Sequence, residues 1–421
     1  MTAALRFVRT LGAARLAAIT VAMVVGALVS GRAAMVVLCA PPLILLVLGH
    51  RATRPEQVSV SVRLDRTRAV EGDEVGVTVR VELPQRTDGV EVTLTSLLPV
   101  DGPGPLTRTG TDLDRFDARF TLLPDRWGRW SVGRARLSVL AAGGLQRADL
   151  TVPLGEIVVY PRTVPLRTPP RPTRLPQLVG EHVVAAKGSG VEFADIRPYQ
   201  PTDPARLVHW AATARYGRPY VVERHTERLA DVVLMIDAYS DVGPPGNSSL
   251  DVSVRAAASL ATSWLRAGDR VGVVALGGAL RWLPVGLGGR YLYRIVDSVV
   301  EVRRDAQAVP SGFRRLPPAA LPPGALVAVF TPLLDDAIVS AIGELSERGL
   351  SILVLNTLTR EPTVDAEFPG NLALRVWRRE RVELERRLAA LGAVTVKADD
   401  PSMLDAALAP VHRHRPGGRS R

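Results

Sequence analysis

The sequence predicts a multidomain protein with an N-terminal two-helix membrane hairpin, an antiparallel β-sandwich and an α/β doubly wound domain. Three observations support this fold class. Two apolar runs lie near the N-terminus with only two residues between them. Short segments of alternating apolar and polar residues follow, and from residue 231 onwards apolar runs alternate with helical patterns. The 421 residues suffice for two or three domains of ordinary size.

The basic composition does not indicate a nucleic-acid partner. The net charge is +11, but Lys187 and Lys397 are the only lysines among 53 basic residues. The arginines are spread along the chain, and aromatic residues are not interleaved with them at a spacing that would stack bases. Cys39 is the single cysteine, so no internal disulfide forms, which suits a reducing compartment.

The two apolar runs, Leu16–Ser30 and Ala33–Gly49, predict a membrane hairpin over residues 1–54 with spans at about 11–30 and 33–49. Pro41 and Pro42 would kink the second span, as membrane helices tolerate. A cleaved signal peptide is the alternative, but a second apolar run follows at once.

Arginine placement predicts the orientation of the hairpin. The positive-inside rule places the arginine-rich flanks, and with them the soluble domains, in the cytoplasm. The chain is therefore predicted to be a multi-pass protein of the cell membrane. The arginines concerned are Arg6, Arg9 and Arg15 before the hairpin, Arg32 in its turn, and Arg51 and Arg54 after it.

Residues 55–160 predict the β-sandwich. Apolar residues alternate with polar ones from Val58 and again from Val75, with further short strands at 90–97, 115–122, 130–139 and 157–160. Six prolines then make residues 161–180 an extended linker.

Residues 231–411 alternate strand and helix patterns, which predicts a doubly wound sheet with any site at the carboxyl ends of its strands. Asp231–Asp237 is a continuous apolar run typical of a strand buried on both faces. Asp335 or Asp336 is expected to cap a helix that ends at Gly349, and 378–391 is expected to be a charged helix. A basic tail, 412–421, ends the chain.

Residues 181–230 contain the most distinctive stretch of the chain. Arginines, carboxylates and two aromatic side chains are interleaved there at high density. Such a set predicts a hydrogen-bonded ion-pair network that pins the segment to the sheet, with a docking surface for a partner as the alternative. The residues are Arg197, Tyr199, Asp203, Arg206, Trp210, Arg215, Glu223 and Glu227.

This stretch resembles the core of the bacterial domain-of-unknown-function 58 family. The chain departs from the family pattern at Thr202, Val208 and Ala211. The resemblance extends to the layout of membrane spans, β-rich segment, core and α/β domain. The residues that match are Gly190, Phe193, Arg197, Tyr199, Asp203, Arg206, Trp210, Thr213, Ala214 and Arg215, with Glu227 following.

The resemblance implies that the α/β domain is similar to a von Willebrand factor A module, in which D-x-S-x-S often binds a divalent ion. Asp237 is in place here, but Tyr239 and Asp241 occupy the two serine positions. Thr331 and Asp335 would complete the ligand set. Because a tyrosine removes one oxygen ligand, the sequence predicts a degenerate metal site and no cofactor.

Enzyme motifs are missing from the sequence. The histidines lack paired metal-ligand spacing, and neither a nucleophile elbow nor a phosphate loop is present. The family resemblance implies a partner instead, a MoxR-type AAA+ ATPase. The predicted function is a non-enzymatic adaptor or scaffold at the inner membrane; the alternatives are a metal-dependent hydrolase and a protein of the cell envelope.

Overall fold

The computed structural model describes residues 2–31, 33–98, 105–164, 166, 187–188, 192–200, 208–225, 230–277, 281–302, 316–317, 319–363, 369–398, 404, 406 and 408. They form two compact units, Met1–Arg162 and Thr163–Arg421. The predicted multidomain organisation, with an apolar N-terminal helix, β-rich sheets and several further helices, is confirmed.

The described residues of the first unit form two helices and ten strands. Its helices are α1 (Leu11–Ser30) and α2 (Ala33–Arg51). Its strands are β1 (Thr2–Ala4), β2 (Val8–Arg9), β3 (Gln57–Leu64), β4 (Arg68–Val70), β5 (Val75–Ser96), β6 (Leu106–Leu122), β7 (Gly128–Ser131), β8 (Gly133–Ala141), β9 (Gln146–Pro153) and β10 (Glu156–Tyr160).

The large sheet of this unit is built around one long strand. The two strands predicted at 75–81 and 90–97 are wrong as separate elements, because β5 runs through both with a register shift between Glu82 and Thr87. Strand β6 pairs along both halves of β5, while the other partner changes from β3 to β8 at the shift. Two antiparallel half-sheets therefore share the bent β5–β6 pair.

A second, three-stranded sheet packs on the same core. Strand β10 pairs antiparallel with β7 and parallel with β4, so this sheet is mixed rather than antiparallel as predicted. Ile157 and Val159 of β10 lie in one buried cluster with Val77 and Val92 of β5. The burial of alternate residues from both sheets is what the alternating sequence pattern requires.

Both N-terminal helices are apolar. Thr10 caps α1, and Gly31 ends it in a left-handed conformation with φ 62°. Within the described residues α1 is the one helix long and apolar enough to cross a membrane, and Val36–Arg51 of α2 is a shorter apolar helix. A helix of this kind near an N-terminus fits either a membrane span or a signal sequence.

In the second unit the described residues include five helices and nine strands with defined bounds. The helices are α3 (Trp210–Tyr216), α4 (Ser249–Arg266), α5 (Gly289–Val300), α6 (Asp336–Glu347) and α7 (Gly370–Ala390). The strands are β11 (Lys187–Gly188), β12 (Glu192–Pro198), β13 (Tyr220–His225), β14 (Asp231–Asp237), β15 (Arg270–Leu276), β16 (Arg281–Gly286), β17 (Leu326–Thr331), β18 (Ser351–Asn356) and β19 (Val394–Lys397).

Six of these strands form one sheet in the order β16-β15-β14-β17-β18-β19. All neighbours are parallel except β16, which is antiparallel to β15 at one edge. The apolar run at 231–237 is β14, a central strand, as its composition indicates. Helix α7 begins at Gly370, eight positions before the predicted start at 378, and Asp335 rather than Asp336 caps α6.

The proline-rich segment begins in contact with α4. The backbone N–H of Val164 donates to the Ser259 hydroxyl (2.9 Å), and that of Leu166 donates to the Ser263 hydroxyl (2.7 Å). Both serines lie on one face of α4, one turn apart. The start of the segment is therefore held by specific hydrogen bonds, while 167–186 and the tail at 412–421 lie outside the described residues.

Candidate functional site

The strand order of the six-stranded sheet reverses at one position, between β14 and β17. Numbered within the sheet, its strands run 3-2-1-4-5-6, so the chain leaves β14 in one direction and returns to β17 on its other side. Ligands of open α/β sheets bind outside the carboxyl ends of the strands at such a reversal. Asp237 ends β14 and Thr331 ends β17. The sheet therefore brings together two of the three predicted metal ligands.

Asp237 is fully buried and both of its carboxylate oxygens are engaged. Its Oδ1 accepts from the backbone N–H of Tyr239 (2.9 Å), and its Oδ2 accepts from the hydroxyl of Thr331 (2.6 Å). Thr331 is equally buried, and its Oγ1 in turn accepts from the backbone N–H of Leu333 (2.9 Å). The pair forms a closed hydrogen-bonded unit.

Burial has the largest effect on the pKa of Asp237. It raises the pKa of Asp237 from its ordinary 3.8 to about 6, against the opposing hydrogen bonds from Thr331 and Tyr239. The negative charge of Asp335 raises that pKa further, so the third predicted ligand lies close by. Burial, followed by the charges of Asp237 and Asp335, also raises the pKa of the Tyr239 phenol. Carboxyl and phenol thus both retain their protons to a higher pH than usual.

The loop between β17 and α6 is held in an unusual conformation. Leu333 has φ 56°, in the left-handed region that costs a branched side chain about 1–2 kcal/mol. Its carbonyl accepts from Arg381 (2.5 Å), and Asp335 closes the loop by accepting from the N–H of Ala337 (2.8 Å). Leu333 is buried as a result, and the next residue, Leu334, is 39% exposed.

Hydrogen bonds to the start of α4 also hold the loop between β14 and α4 in place. Val242 and Ser249 exchange two hydrogen bonds, N–H to Oγ (3.0 Å) and N–H to carbonyl (2.8 Å). Asp241 accepts from the N–H of Leu250 (3.1 Å). Val242 remains 45% exposed. We call the half-buried Tyr239 and the exposed Val242 and Leu334 the carboxyl-end surface.

A buried hydroxyl network extends beneath this surface, and sequence reasoning missed it. The hydroxyls of Ser253 on α4 and Thr357 after β18 are 2.9 Å apart. Ser253 donates its proton to the carbonyl of Ser249 (2.8 Å), so Thr357 supplies the proton between the two hydroxyls. The backbone N–H of Thr357 donates to the carbonyl of Thr331 (3.0 Å), which links the network to the Asp237 unit.

The residues at this position do not fit a divalent cation. A hard ion of this class needs about six oxygen ligands, and here both oxygens of Asp237 already accept protein hydrogen bonds. Tyr239 occupies the position of the first serine, and its main-chain N–H is one of the donors. Among the described residues, no three histidine, cysteine, aspartate or glutamate side chains cluster to hold a metal.

We therefore expect no stoichiometric binding when the full-length protein, purified in detergent at pH 7.5, is titrated calorimetrically with Mg²⁺ or Mn²⁺. The described side chains offer an ion too few oxygens to compensate for its lost hydration, and Asp237 is completely buried. The Asp237→Asn variant serves as the matched control. A saturable one-to-one isotherm in the unaltered protein that is lost in this variant would contradict the expectation.

The described part of the family motif forms a small separate sheet. Strands β12 and β13 pair antiparallel, and Tyr199 donates its N–H to the carbonyl of Pro219 (2.8 Å). His209 caps α3 by accepting at Nδ1 from the N–H of Ala212 (3.0 Å). Because its imidazole is used in this cap, the side chain has a local structural role.

Two predicted docking residues of the motif face solvent. Trp210, the first residue of α3, is 75% exposed, and Arg215 stacks over the ring of Tyr216 at 5.9 Å. Arg197 donates to the carbonyl of Pro198 (3.1 Å). Asp203, Arg206, Glu227 and the side chain of Glu223 lie outside the described residues, so the ion-pair network stays a prediction.

The comparisons with known proteins agree with the motif. Residues 195–354, which include β14, β17 and the Asp237 unit, match the profile of the family described as protein of unknown function DUF58. This part of the chain is similar to that family. Uncharacterised proteins of Mycobacterium bovis and Mycobacterium tuberculosis are 29% identical to this chain over 140 residues. That alignment covers 32% of this chain and only 43% of those relatives, so it reaches less than half of their length.

The similarity to solved structures is weak. A chitin-binding domain from Burkholderia pseudomallei is 13% identical and aligns with a TM-score of 0.14 over 22% of this chain and 57% of its own. Cwp6 from Clostridium difficile is 8% identical and aligns with a TM-score of 0.17 over 71% of this chain and 50% of its own. Scores this low carry no argument about fold or function.

Proposed function

We propose that the protein is a membrane-anchored, non-enzymatic adaptor that binds its partner at the carboxyl-end surface of a von Willebrand factor A-like domain. The observation that carries this proposal is the closed Asp237–Thr331 unit. A reaction centre needs a group that can reach a substrate, whereas Asp237 is completely buried and each of its oxygens accepts a hydrogen bond from within the protein. A rigid, internally satisfied framework supports binding instead.

The strand order supports the von Willebrand factor A-like assignment. Such a domain is a doubly wound sheet, and the order 3-2-1-4-5-6 with one antiparallel edge strand is compatible with it. The family resemblance adds a MoxR-type AAA+ ATPase as the partner. Two loops pinned by hydrogen bonds present Val242 and Leu334 without a large ordering cost on binding.

The same proposal places both apolar helices in the bacterial inner membrane and the remaining domains in the cytoplasm. The distribution of the flanking arginines supports this orientation, since five of them lie at or beyond the outer ends of the two helices and only Arg32 lies between the helices in the sequence. A cytoplasmic location also suits an ATP-dependent partner, because the nucleotide is available there.

The test is co-purification of the tagged full-length protein from detergent-solubilised membranes of its own organism. We expect a MoxR-type ATPase in the eluate, and we expect Leu334→Asp to lower its yield at least about tenfold, since a charge would be buried in an apolar contact. The matched control is Leu123→Asp, where the side chain is similarly exposed (43%) but belongs to the first unit. Absence of the ATPase, or equal yields from both variants, would contradict the proposal.

A further inference from the structure

The residues that precede the first apolar helix are part of the β-domain. Strand β1 pairs antiparallel with β3, with Thr2 opposite Ser59. Strand β2 pairs antiparallel with β9, with Val8 opposite Arg147. The sequence segment that resembles a simple basic flank therefore supplies two strands to the sheet that follows the hairpin.

Strands β1 and β2 form the two outer edges of the large sheet. Strand β1 extends the half that contains β3, and β2 extends the half that contains β9. Four residue steps from Ala4 to Val8 reach at most about 14 Å, so the two outer edges face each other across this short connection. Ala3, Leu5 and Phe7 pack against the core of the domain, which is the alternation expected of a strand with one buried face.

Both helices are fastened to the same turn of the sheet. Thr10 donates its N–H to the carbonyl of Leu145 (3.0 Å) and its hydroxyl to the carbonyl of Gly144 (3.1 Å). At the end of α2 the carbonyl of Gly49 accepts from the Gln146 side chain (3.4 Å), and Gly49 packs closely against Leu145. We call this meeting of Thr10 and Gly49 with the β8–β9 turn the hairpin base.

Beyond the hairpin base the two helices have an apolar surface that is exposed among the described residues. Helix α1 buries small side chains at seven-residue intervals, Ala13, Thr20 and Ala27, as closely packed membrane helices do. Thr20 satisfies its hydroxyl within the helix by donating to Leu16 (2.7 Å). The large side chains more than one-third exposed are Leu11, Ile19, Val21, Val24, Val25, Leu28 and Val29 of α1, and Val36, Val37, Leu38, Leu43, Ile44, Leu45, Val47 and Leu48 of α2.

We infer that α1 and α2 cross the bilayer as a pair, with residues 2–10 and the β-domain on the same face and the hairpin base at the lipid headgroups. A contiguous apolar surface of this size fits hydrocarbon as its partner. If α1 alone crossed, its roughly 30 Å length would separate β1 and β2 from β3 and β9. Cleavage after α1 would remove both strands from the sheet.

The charges at the hairpin base fit anionic headgroups. Arg9, Arg15 and Arg51 are exposed at or next to the ends of the apolar surface, where each meets the phosphate level of a bilayer. This inference rests on the proposed membrane anchoring, but it does not depend on which side of the membrane the soluble domains occupy. It states that the N-terminal residues and the β-domain lie on the same side of the membrane.

The test is disulfide cross-linking in native membranes, in the full-length chain with its single cysteine removed by Cys39→Ala. The pairs Thr2→Cys with Ser59→Cys and Val8→Cys with Arg147→Cys join Cα partners in the observed register. Antiparallel partners have a Cα separation that a disulfide accommodates, so we expect at least about tenfold more cross-link than in the control. The control is Thr2→Cys with Thr151→Cys, because Thr151 is exposed on β9 and pairs with Arg136 instead.

A second readout tests sidedness without requiring a bond to form. Single cysteines at Thr2 and at the exposed Ser131 of β7 are labelled with a membrane-impermeant maleimide in intact cells and in inverted vesicles. We expect both positions to react from the same side. Membrane-bound protein whose two positions react from opposite sides, with no cross-link from either pair, would overturn the inference. Protein found entirely in the soluble fraction would instead refute the membrane anchoring on which it rests.

Discussion

Replacing Asp237 with asparagine is expected to stabilise the folded protein at pH 7.5 by on the order of 3 kcal/mol. The buried carboxyl has a pKa of about 6 in the folded protein and about 3.8 in the unfolded chain, and each pH unit of difference corresponds to about 1.4 kcal/mol. The neutral amide avoids the cost of a buried charge. Its oxygen can accept from Tyr239, and its N–H₂ group can donate to the hydroxyl oxygen of Thr331.

The stability of the unaltered protein depends on pH because the pKa of Asp237 is higher in the folded state than in the unfolded chain. Between pH 3.8 and about 6 the folded protein binds a proton that the unfolded chain has lost. The stabilisation from this proton is therefore complete below pH 3.8 and is lost as the pH rises through about 6. The unaltered protein should lose stability over this window relative to Asp237→Asn, whose unfolding lacks this dependence.

Calorimetric unfolding of the full-length protein at pH 4.5, 6 and 7.5, with a chelator present, measures this difference. Asp336→Asn is the matched control, because it neutralises an exposed carboxylate at the same end of the sheet. It should leave the unfolding temperature nearly unchanged across the series. An Asp237→Asn protein that melts below the unaltered one at pH 7.5 would show that the buried charge itself stabilises the fold.

The central strands and the Asp237 unit were the part of the site that the sequence could predict. A parallel strand covered on both faces has a continuous apolar pattern, so the first polar residue after it marks a carboxyl end. Asp237 and Thr331 follow such runs, and the sheet places them 2.6 Å apart. The Ser253–Thr357 pair could not be predicted in this way, because its members are 104 residues apart and neither belongs to a periodic pattern.

The N-terminal strands were missed for a different reason. Residues 2–9 alternate apolar and polar side chains weakly, but their arginines and their place before an apolar helix favour a membrane flank. Arg6 and Arg9 fit both interpretations, since an exposed strand position also accepts arginine. Only the partners β3 and β9, which lie more than 45 residues further along, distinguish a strand from a flank.

Gly277→Ala is expected to lower the unfolding temperature by about 10 °C, which corresponds to roughly 4 kcal/mol in a domain of this size. Gly277 has φ 112°, where a side chain is strained, and an added Cβ would lie 2.2 Å from the carbonyl carbon of Ala238 and 2.3 Å from the nitrogen of Tyr239. Because these are main-chain atoms, the Ala238–Tyr239 segment must move. That movement separates the Tyr239 N–H from the Asp237 carboxylate and leaves a buried acceptor without its donor.

Gly268→Ala separates this effect from backbone strain alone. Gly268 also has a positive φ, 85°, but an added Cβ there meets no atom within 4 Å, so its expected cost is only about 1 kcal/mol. Equal losses in the two variants would mean that close packing against Tyr239 contributes nothing. If Gly277→Ala alone also lowers ATPase co-purification at a temperature where both variants are folded, the position of the Tyr239 segment is part of the binding surface. Stability and partner binding would then depend on the same contact, between the end of β15 and the loop after β14.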